Sequence, residues 1–197
     1  MARKYDLRAR AERQQATRRR IVEATAELHR TVGPARTEIS AVAELAGVER
    51  VTVYRHFPQL ESLLTACSQH FRDQHPLPDV AQYRAIRDPR QRAAAALDAT
   101  FAYWEANQQM VANVLRDSAV LPVGGGFLAF QAAMAEVLRS GWNVRGRRRE
   151  RLHAALRLAV DFHAWQRLAR DQGLHREDCV AVMLGMLDGA VAASARG

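Results

Sequence analysis

The chain has 197 residues, of which 48% are hydrophobic, 25% charged and 7% aromatic. This composition is typical of a globular protein with a sizeable core, and it excludes disordered and fibrous chains. Apolar runs fall short of the ~18–20 residues that a membrane-spanning helix needs, and the charged amino terminus predicts no secretory signal. Two distant cysteines, Cys67 and Cys179, exclude a disulfide scaffold and indicate reduced, buried thiols.

Positive charge is concentrated in two segments of the chain. The formal net charge is +8, and residues 1–20 contain eight basic and two acidic residues. Such clusters favour a polyanion as partner, most simply nucleic acid, although solvated helix faces have the same composition. The second cluster consists of Arg145, Arg147, Arg148, Arg149 and Arg151, interrupted by Glu150.

The sequence predicts helix along nearly the whole chain, because apolar residues recur at three- and four-residue spacing without β-branched alternation. A first helix ends at Gly33-Pro34. A short second helix follows, with Thr37 as its N-cap and Gly47 at its end. A third helix is ended by Pro58, and a fourth ends before His75.

The segment His75-Pro76-Leu77-Pro78 is the predicted domain boundary, because the residue before a proline is disfavoured in a helix. We therefore expect one domain over residues 1–75 and a second, also helical, over residues 76–197.

The last two helices, predicted over residues 149–170 and 176–193, have apolar residues on more than one side. A chain of this size has too little material to cover both. We expect them to pair with the same helices of a second chain as a four-helix bundle, the alternative being two core helices of a monomer. The residues expected at this interface are Leu152, Leu156, Val180, Met183, Leu184, Leu187 and Val191.

Residues 39–57 have the pattern of a helix-turn-helix, in which the first helix braces and the second enters the major groove of DNA. Gly47 allows the positive φ that the turn needs. Val48, Val53 and Phe57 are predicted to point inward. The residues left on or near the outer face, of types that suit contact with bases and phosphates, are Arg50, Val51, Thr52, Tyr54, Arg55 and His56.

This region resembles the DNA-binding domain of the TetR (tetracycline repressor) family. The matching residues are Arg18 to Leu28, Val42-Ala43-Glu44-Leu45-Ala46-Gly47-Val48, Val53-Tyr54-Arg55-His56-Phe57 and Leu63-Leu64. The resemblance implies an all-α homodimer, with an amino-terminal three-helix helix-turn-helix domain and a helical carboxy-terminal domain for effector binding and dimerisation. It implies a bacterial cytoplasmic repressor, bound at the nucleoid through double-stranded DNA and released by a small-molecule effector. Two-fold symmetry predicts a pseudo-palindromic operator.

Each candidate DNA contact has an expected role. The residues expected to read or closely approach bases are Arg50, Val51, Thr52 and Arg55. Those expected to hold phosphates are Ser40, Tyr54, His56 and the basic amino-terminal arm, including Arg3 and Lys4. The alternative for that arm is a disordered tail.

Two positions depart from the family pattern. Glu49 stands where Ser or a similar N-cap is usual, and its charge repels a nearby phosphate. Leu60 stands where Lys is common, which removes a phosphate contact. Both departures give some weight to a second interpretation, an effector-binding or interaction protein with weakened, non-specific DNA binding. An activator is a further variant that the recognition residues do not distinguish from a repressor.

Aromatic and methionine residues of the carboxy-terminal half are candidates for an effector pocket, with ordinary core as the alternative. His163 is expected on an apolar stripe, as a hydrogen-bonded core residue or a polar anchor for the effector. No acid–base, nucleophile or metal set converges, and His70 and His75 lie on different helix faces. We therefore expect no enzyme, no cofactor and no metal. The candidate pocket residues are Phe101, Trp104, Met110, Phe127, Phe130, Met134, Phe162, His163 and Trp165.

Overall fold

The computed structural model describes the backbone of residues 2–192 and the side chains of residues 8–192. This part of the chain is all-α, as predicted, and contains no β-strand. No helix within it is both long and apolar enough to cross a membrane. The chain divides into two compact units, one of Met1–Pro76 with Gln109–Gly124 and the other of Leu77–Gln108 with Gly125–Gly197.

The first unit contains the predicted helix-turn-helix. Its short second and third helices and the end of its fourth helix before His75 are confirmed. The predicted N-cap of the second helix is wrong, because Glu38 occupies that position and the Thr37 hydroxyl instead donates to the Gly33 carbonyl (2.8 Å). The helices that begin this unit are α1 Ala2–Thr31, α2 Ile39–Ala46, α3 Arg50–His56 and α4 Leu60–Gln74.

Apolar side chains from all four helices share one core. Ile21 of α1 and Val53 of α3 are completely buried in it. The helix α3 has only seven residues, too few to be stable as an isolated helix, so its conformation depends on this packing. The buried members of the core are Ile21, Val22, Ala24, Val42, Ala43, Ala46, Val53, Phe57 and Leu63.

The end of helix α5, Pro89–Asp117, is bonded to the connection between α1 and α2. The Asp117 carboxylate accepts a hydrogen bond from the backbone N–H of Ala35 (2.9 Å) and pairs with Arg116 (2.7 Å). The Arg116 hydrogen bond, supported by Ala35, holds the pKa of Asp117 below its ordinary value. These contacts add residues 109–124 to the first unit, beyond the expected division at residue 75.

Gly33 is required at this connection. It has a φ of 99°, a conformation that side-chain-bearing residues rarely adopt. A Cβ there would also clash with the guanidinium of Arg116 and the carboxylate of Asp117.

The second unit contains the first part of α5 and the later helices. The predicted continuous helix over residues 149–170 is wrong, because the chain leaves the helix at Val160. Asp161 then begins a new helix, its carboxylate accepting from the N–H of Ala164 (2.9 Å). A π-helical turn, Arg167–Asp171, follows. The helices of this unit after α5 are α6 Gly125–Leu138, α7 Arg147–Ala159, α8 Phe162–Gln166 and α9 Arg176–Ala192.

A buried arginine, Arg92, links the segment before α5 to the segment that follows α6. Arg92 of α5 is 5% exposed, and its guanidinium donates to the Ile86 carbonyl (2.6 and 2.9 Å). It also donates to the carbonyl and hydroxyl of Ser140, after α6, at 2.9 and 2.6 Å. Because each buried guanidinium donor needs an acceptor, these bonds hold the start of the α6–α7 connection against α5.

A histidine and a cysteine are paired inside the first unit. The Cys67 sulfur and His29 Nδ1 are 3.3 Å apart, and both side chains are buried. Burial lowers the pKa of His29 to about 4, against an opposing effect of Asp117. Burial also raises the pKa of Cys67 to about 12. The pair is therefore a neutral thiol and a neutral imidazole at neutral pH.

We expect acid to destabilise the protein through His29. Unfolded His29 takes up its proton near pH 6.5, whereas the folded residue does so near pH 4. The stabilisation is complete above pH 6.5 and is lost as the pH falls towards 4. The expected loss is about 3 kcal/mol over this window, measurable by urea unfolding at a series of pH values.

His29→Gln removes the titrating group and keeps an acceptor for the Cys67 thiol, so the free energy of unfolding should vary less over the same pH range. His163→Gln is the matched control, because that imidazole is exposed. If His29→Gln loses as much stability in acid as the parent chain, His29 is not the responsible group.

Candidate nucleic-acid interface

The turn between α2 and α3 is closed by a Schellman cap centred on Gly47. The N–H of Val48 donates to the Ala43 carbonyl (3.0 Å), and the N–H of Gly47 donates to the Glu44 carbonyl (3.1 Å). Gly47 has φ 63° and ψ 45°, the left-handed conformation that glycine adopts without a Cβ penalty. The predicted glycine turn is confirmed, and its geometry sets the direction in which α3 begins.

Two buried residues decide which face of α3 is exposed. Val53 is completely buried, and Phe57, directly after the helix, is 4% exposed. The guanidinium of Arg18 lies over the Phe57 ring, 4.8 Å from its centroid. Val48 is partly buried and packs against the same core. The three residues predicted to point inward therefore do so.

The opposite face of α3 carries the residues predicted to contact DNA. Val51 is 64% exposed and Tyr54 is 48% exposed, so both large side chains are open to solvent. Arg55 Nη2 lies 3.5 Å from Thr52 Oγ1, so the two side chains meet on one side of the helix. The exposed members of the set are Arg50, Val51, Tyr54 and Arg55, and the half-buried ones are Thr52 and His56.

His56 is a neutral hydrogen-bonding group at neutral pH. Partial burial lowers its pKa, and the positive charges of Arg55 and Arg18 lower it further. Its imidazole can donate a hydrogen bond to an acceptor such as a phosphate oxygen, but it adds no positive charge there.

Two carboxylates lie beside residues of the candidate interface. The Ser40 hydroxyl, at the start of α2, donates to Glu38 Oε2 (3.2 Å). Glu49 occupies the N-cap of α3, and among the described residues its side chain makes no capping hydrogen bond. A phosphate approaching either position meets a negative charge, so the repulsion expected at Glu49 applies at Glu38 as well.

The family model described as "Bacterial regulatory proteins, tetR family" matches residues 21–67, which contain this helix-turn-helix. Residues 21–67 are a TetR-family DNA-binding domain. The match ends within α4, so the TetR-family domain accounts for most of the first unit before residue 76.

Solved structures are similar to the chain over most of its length. A candidate fatty acid metabolism regulator of Clostridium perfringens has a TM-score of 0.59 and 17% identity, over 86% of this chain and 97% of that one. At this identity the similarity shows the fold alone. A TetR transcriptional regulator from Rhodococcus sp. RHA1 has a TM-score of 0.48 and 18% identity, over 91% of this chain and 98% of its own. No curated protein sequence matches the chain.

The amino-terminal extension of the TetR-family domain is helical, because α1 begins at residue 2. The backbone of Arg3 and Lys4 belongs to α1, and their side chains lie outside the described residues. Arg8 and Arg10, further along this helix, are exposed. Leu60, the departure at the start of α4, is 49% exposed, so a longer charged side chain fits there without burial.

Arg18, in α1 just before the TetR-family domain, had no role assigned from the sequence. Its contact with Phe57 joins α1 to the end of α3 across 39 positions of sequence. A surface arginine has no periodicity that identifies an aromatic partner so distant in the chain. The pairing of His29 with Cys67 was missed for the same reason.

The candidate effector residues lie mainly in the second unit, around Trp104. This indole makes edge-to-face contacts with the rings of Phe127, Phe130 and Phe162, with centroids 6.2, 5.8 and 5.5 Å away. The buried members of the candidate set in this unit are Phe101, Trp104, Phe127, Phe130, Met134, Phe162 and Trp165.

Two members of the candidate set, Met110 and His163, do not belong to this aromatic core. Met110 is buried but belongs to the first unit. His163 is exposed, contrary to the expected position on a buried stripe, because the helix break at Asp161 turns α8 away from the register of α7.

The Trp104 indole N–H is an unmet polar group in this aromatic core. Trp104 is completely buried, and within residues 8–192 its Nε1 has no hydrogen-bond partner. Gln131 Nε2 is a second such donor. A buried donor without an acceptor costs about 1–3 kcal/mol, so an acceptor that reaches Trp104 would bind favourably.

Most residues predicted at the dimer interface are buried within their own chain. The large exposed hydrophobic residues of α7 and α9 are instead Leu158 and Val182, which are 50% and 47% exposed. The buried members of the predicted set are Leu152, Leu156, Met183, Leu184 and Leu187, and the half-buried ones are Val180 and Val191.

Within residues 8–192, no group of three or more His, Cys, Asp or Glu side chains could hold a metal ion. Cys67 and Cys179 are free thiols and both are buried. Neither thiol therefore adds a reactive group to the surface of its unit.

We expect Gly47→Ala to destabilise the TetR-family domain by about 1–2 kcal/mol, because in the left-handed conformation the alanine Cβ lies too close to the following carbonyl oxygen. A Cβ there would lie 3.6 Å from Arg20 Nη1, an ordinary contact, so the cost arises from the backbone alone. Urea unfolding measures it. Gly125→Ala is the matched control, since a Cβ at Gly125 meets nothing within 4 Å and its φ is not positive. Equal effects of the two substitutions would contradict the assigned role of Gly47.

Proposed function

We propose that this protein is a transcriptional repressor that binds a specific operator as a homodimer and is released by a small-molecule effector. The observation that carries the proposal is that α3 exposes Arg50 and Arg55 on one face. Its opposite face packs into the buried core of a TetR-family DNA-binding domain. The proposed site of action is the bacterial cytoplasm, at the nucleoid when bound to DNA.

The proposed base contacts follow from the chemistry of the exposed side chains. An arginine such as Arg50 or Arg55 can donate two hydrogen bonds to the O6 and N7 acceptors of guanine. Val51 and the methyl group of Thr52 can contact thymine methyl groups. The 3.5 Å separation of Arg55 from Thr52 is at the limit of a hydrogen bond, so Arg55 can leave Thr52 for a base at little cost.

Phosphate contacts would position the reading helix. Tyr54 is exposed and has a hydroxyl donor, and His56 is a neutral donor. Ser40 would exchange its bond to Glu38 for a phosphate oxygen, which requires the Glu38 carboxylate to turn away. The basic residues of α1, including Arg3 and Lys4, supply the positive charge that attracts DNA over a longer range.

The proposed dimer would bury the exposed apolar face of α7 and α9. Leu158 and Val182 are large apolar side chains that solvent contacts in the single chain. On α9, Ala181, Gly185 and Gly189 are exposed at four-residue spacing, which allows a second helix to approach closely. A two-fold dimer would present two copies of α3 to half-sites ~34–36 Å apart.

The proposed effector site is the aromatic core around Trp104. A flat apolar molecule would replace contacts between rings, and one acceptor atom would satisfy the Trp104 N–H. This proposal names the ligand's chemistry, an apolar body with at least one hydrogen-bond acceptor.

A second candidate function is an effector-binding or interaction protein with weak, non-specific DNA binding. The carboxylates of Glu38 and Glu49 favour it, because both lie beside residues that would approach phosphates. Leu60 favours it as well, because it places an apolar side chain at the start of α4.

Selection of randomised duplex DNA at about physiological salt tests the proposed function. The parent chain should enrich a two-fold symmetric motif. Arg50→Ala and Arg55→Ala should each relax the preference at the base pairs they contact, at a cost of about 1–3 kcal/mol of discrimination. Competition binding against single-base variants of the motif measures that cost.

Arg87→Ala is the matched control, because Arg87 is an exposed arginine of the second unit. An arginine variant of α3 that keeps the parent motif unchanged would exclude that residue from base reading. If the folded, dimeric parent chain enriches no motif, the second candidate function is favoured.

We expect Leu60→Lys to tighten DNA binding and to steepen the dependence of log affinity on log salt by about one unit, because it adds one phosphate contact. Binding to the selected operator between low and high salt measures the slope. Leu128→Lys is the matched control, because Leu128 is a similarly exposed leucine (51%) of the second unit. An identical slope in both variants would show that residue 60 lies away from phosphate.

A further inference from the structure

The second unit has a cleft at the connection between α6 and α7, with a volume of about 310 Å³. This volume is at the lower end of the range found for small-molecule sites. All of its lining residues belong to the second unit, so it lies outside the TetR-family domain. The lining residues that matter here are Arg139, Trp142, Asn143, Arg149, Leu152 and His153.

Arg139 is held in place at this cleft. Its Nη1 donates to Glu136 Oε2 (2.6 Å), and its Nε donates to His153 Nε2 (3.0 Å). Among the described side chains these bonds use two of the five guanidinium donors of Arg139, and three are left for a further acceptor. Because Nε2 of His153 accepts a hydrogen bond, the proton of the neutral imidazole is on Nδ1, which is therefore a donor.

Arginines outnumber carboxylates in the segment that surrounds the cleft. Residues 136–153 include six arginines and two glutamates, one of which, Glu136, lines the cleft and pairs with Arg139. Arg147 and Arg149 lie in the first turn of α7, where the positive end of the helix dipole disfavours cations. Arg149 is exposed and lines the cleft. An anion bound here would relieve the repulsion between these groups.

An aromatic ring forms an apolar wall of the same cleft. Trp142 is half-buried, and its indole N–H donates to the Leu138 carbonyl (2.8 Å), which fixes the ring. Leu152 is 1% exposed and forms part of the floor.

The α6–α7 connection contains residues with positive φ next to this ring in sequence. Gly141 and Asn143 have φ values of 88° and 48°. Within the part of the chain that the structure describes, Asn143 is the one residue other than glycine with a positive φ. Such a conformation in a residue with a side chain costs energy and persists where the surrounding structure holds it. Here Ser140 is held by the buried Arg92, so the connection is anchored at its start.

We propose that this cleft binds a small organic phosphate, a phosphate monoester carrying a flat apolar group. The phosphate oxygens would accept hydrogen bonds from Arg139, Arg149 and His153, and the flat group would pack against Trp142. Two arginines, Arg139 and Arg149, line the cavity against one carboxylate, Glu136, and two guanidinium groups at one small cavity favour a dianion over a single carboxylate. A duplex is too wide to enter a cavity of this size, which separates this cleft from the proposed DNA interface.

Calorimetric titration of the full chain with 1-naphthyl phosphate, without DNA, tests the proposal. Saturable binding of one probe per chain is expected, with competition by inorganic phosphate. 1-Naphthol, which has the ring without the charge, should bind at least about tenfold more weakly. Equal binding of 1-naphthol would overturn the proposal, as would the absence of saturable binding of the phosphate.

Arg149→Gln should weaken binding of 1-naphthyl phosphate about tenfold or more, because it removes a charge-assisted donor. Arg149 is exposed, so this variant keeps its fold, which circular dichroism verifies. Arg151→Gln is the matched control, since it removes the same charge from the same cluster at an exposed residue that does not line the cleft. If both variants weaken binding equally, the attraction is a general effect of charge and the proposed site is wrong. Because DNA is absent, failure here leaves the proposed repressor function untouched.

Discussion

Burial of Val53 and Phe57 is the interaction on which the candidate DNA interface depends. The helix α3 has seven residues, and isolated helices shorter than ~12–15 residues are marginal in water. Its helical conformation and its orientation are therefore imposed by packing into the core that it shares with α1, α2 and α4, with Arg18 lying over the Phe57 ring. The exposed positions of Arg50 and Arg55 follow from that burial, since residues opposite a buried face must point to solvent.

The electrostatics of the first unit combine long-range attraction with local repulsion. Arginines of α1 and α3 attract a polyanion, and they do so regardless of base sequence. Glu38 and Glu49 lie where phosphates would approach, and they oppose close backbone contact. This repulsion would weaken phosphate contacts whatever the base sequence, so specific binding would depend on the base contacts proposed for Arg50 and Arg55.

The second unit places two opposite environments within one set of helices. Around Trp104, aromatic rings surround a buried N–H that has no acceptor within residues 8–192. At the α6–α7 connection, arginines gather around a small cleft with one fixed aromatic wall. The first environment favours an apolar ligand that supplies an acceptor, and the second favours a compact anion. The aromatic core lacks a hydrogen-bond acceptor and the cleft lacks a negative charge, so the two sites would select different molecules.

The sequence by itself determined the helix-turn-helix, because the signals there are local. Gly47 is needed for one left-handed residue, and the spacing of Val48, Val53 and Phe57 defines a single buried face. For the last helices, the sequence did not determine which apolar residues are buried within the chain. Their broad apolar bands did not show that Leu152 and Leu187 pack inside the chain while Leu158 and Val182 stay exposed. The tertiary structure alone decided the long-range partnerships, such as His29 with Cys67 and Asp117 with Ala35. Periodicity reports which way a side chain points from its own helix, but only the packing of distant segments determines what it meets.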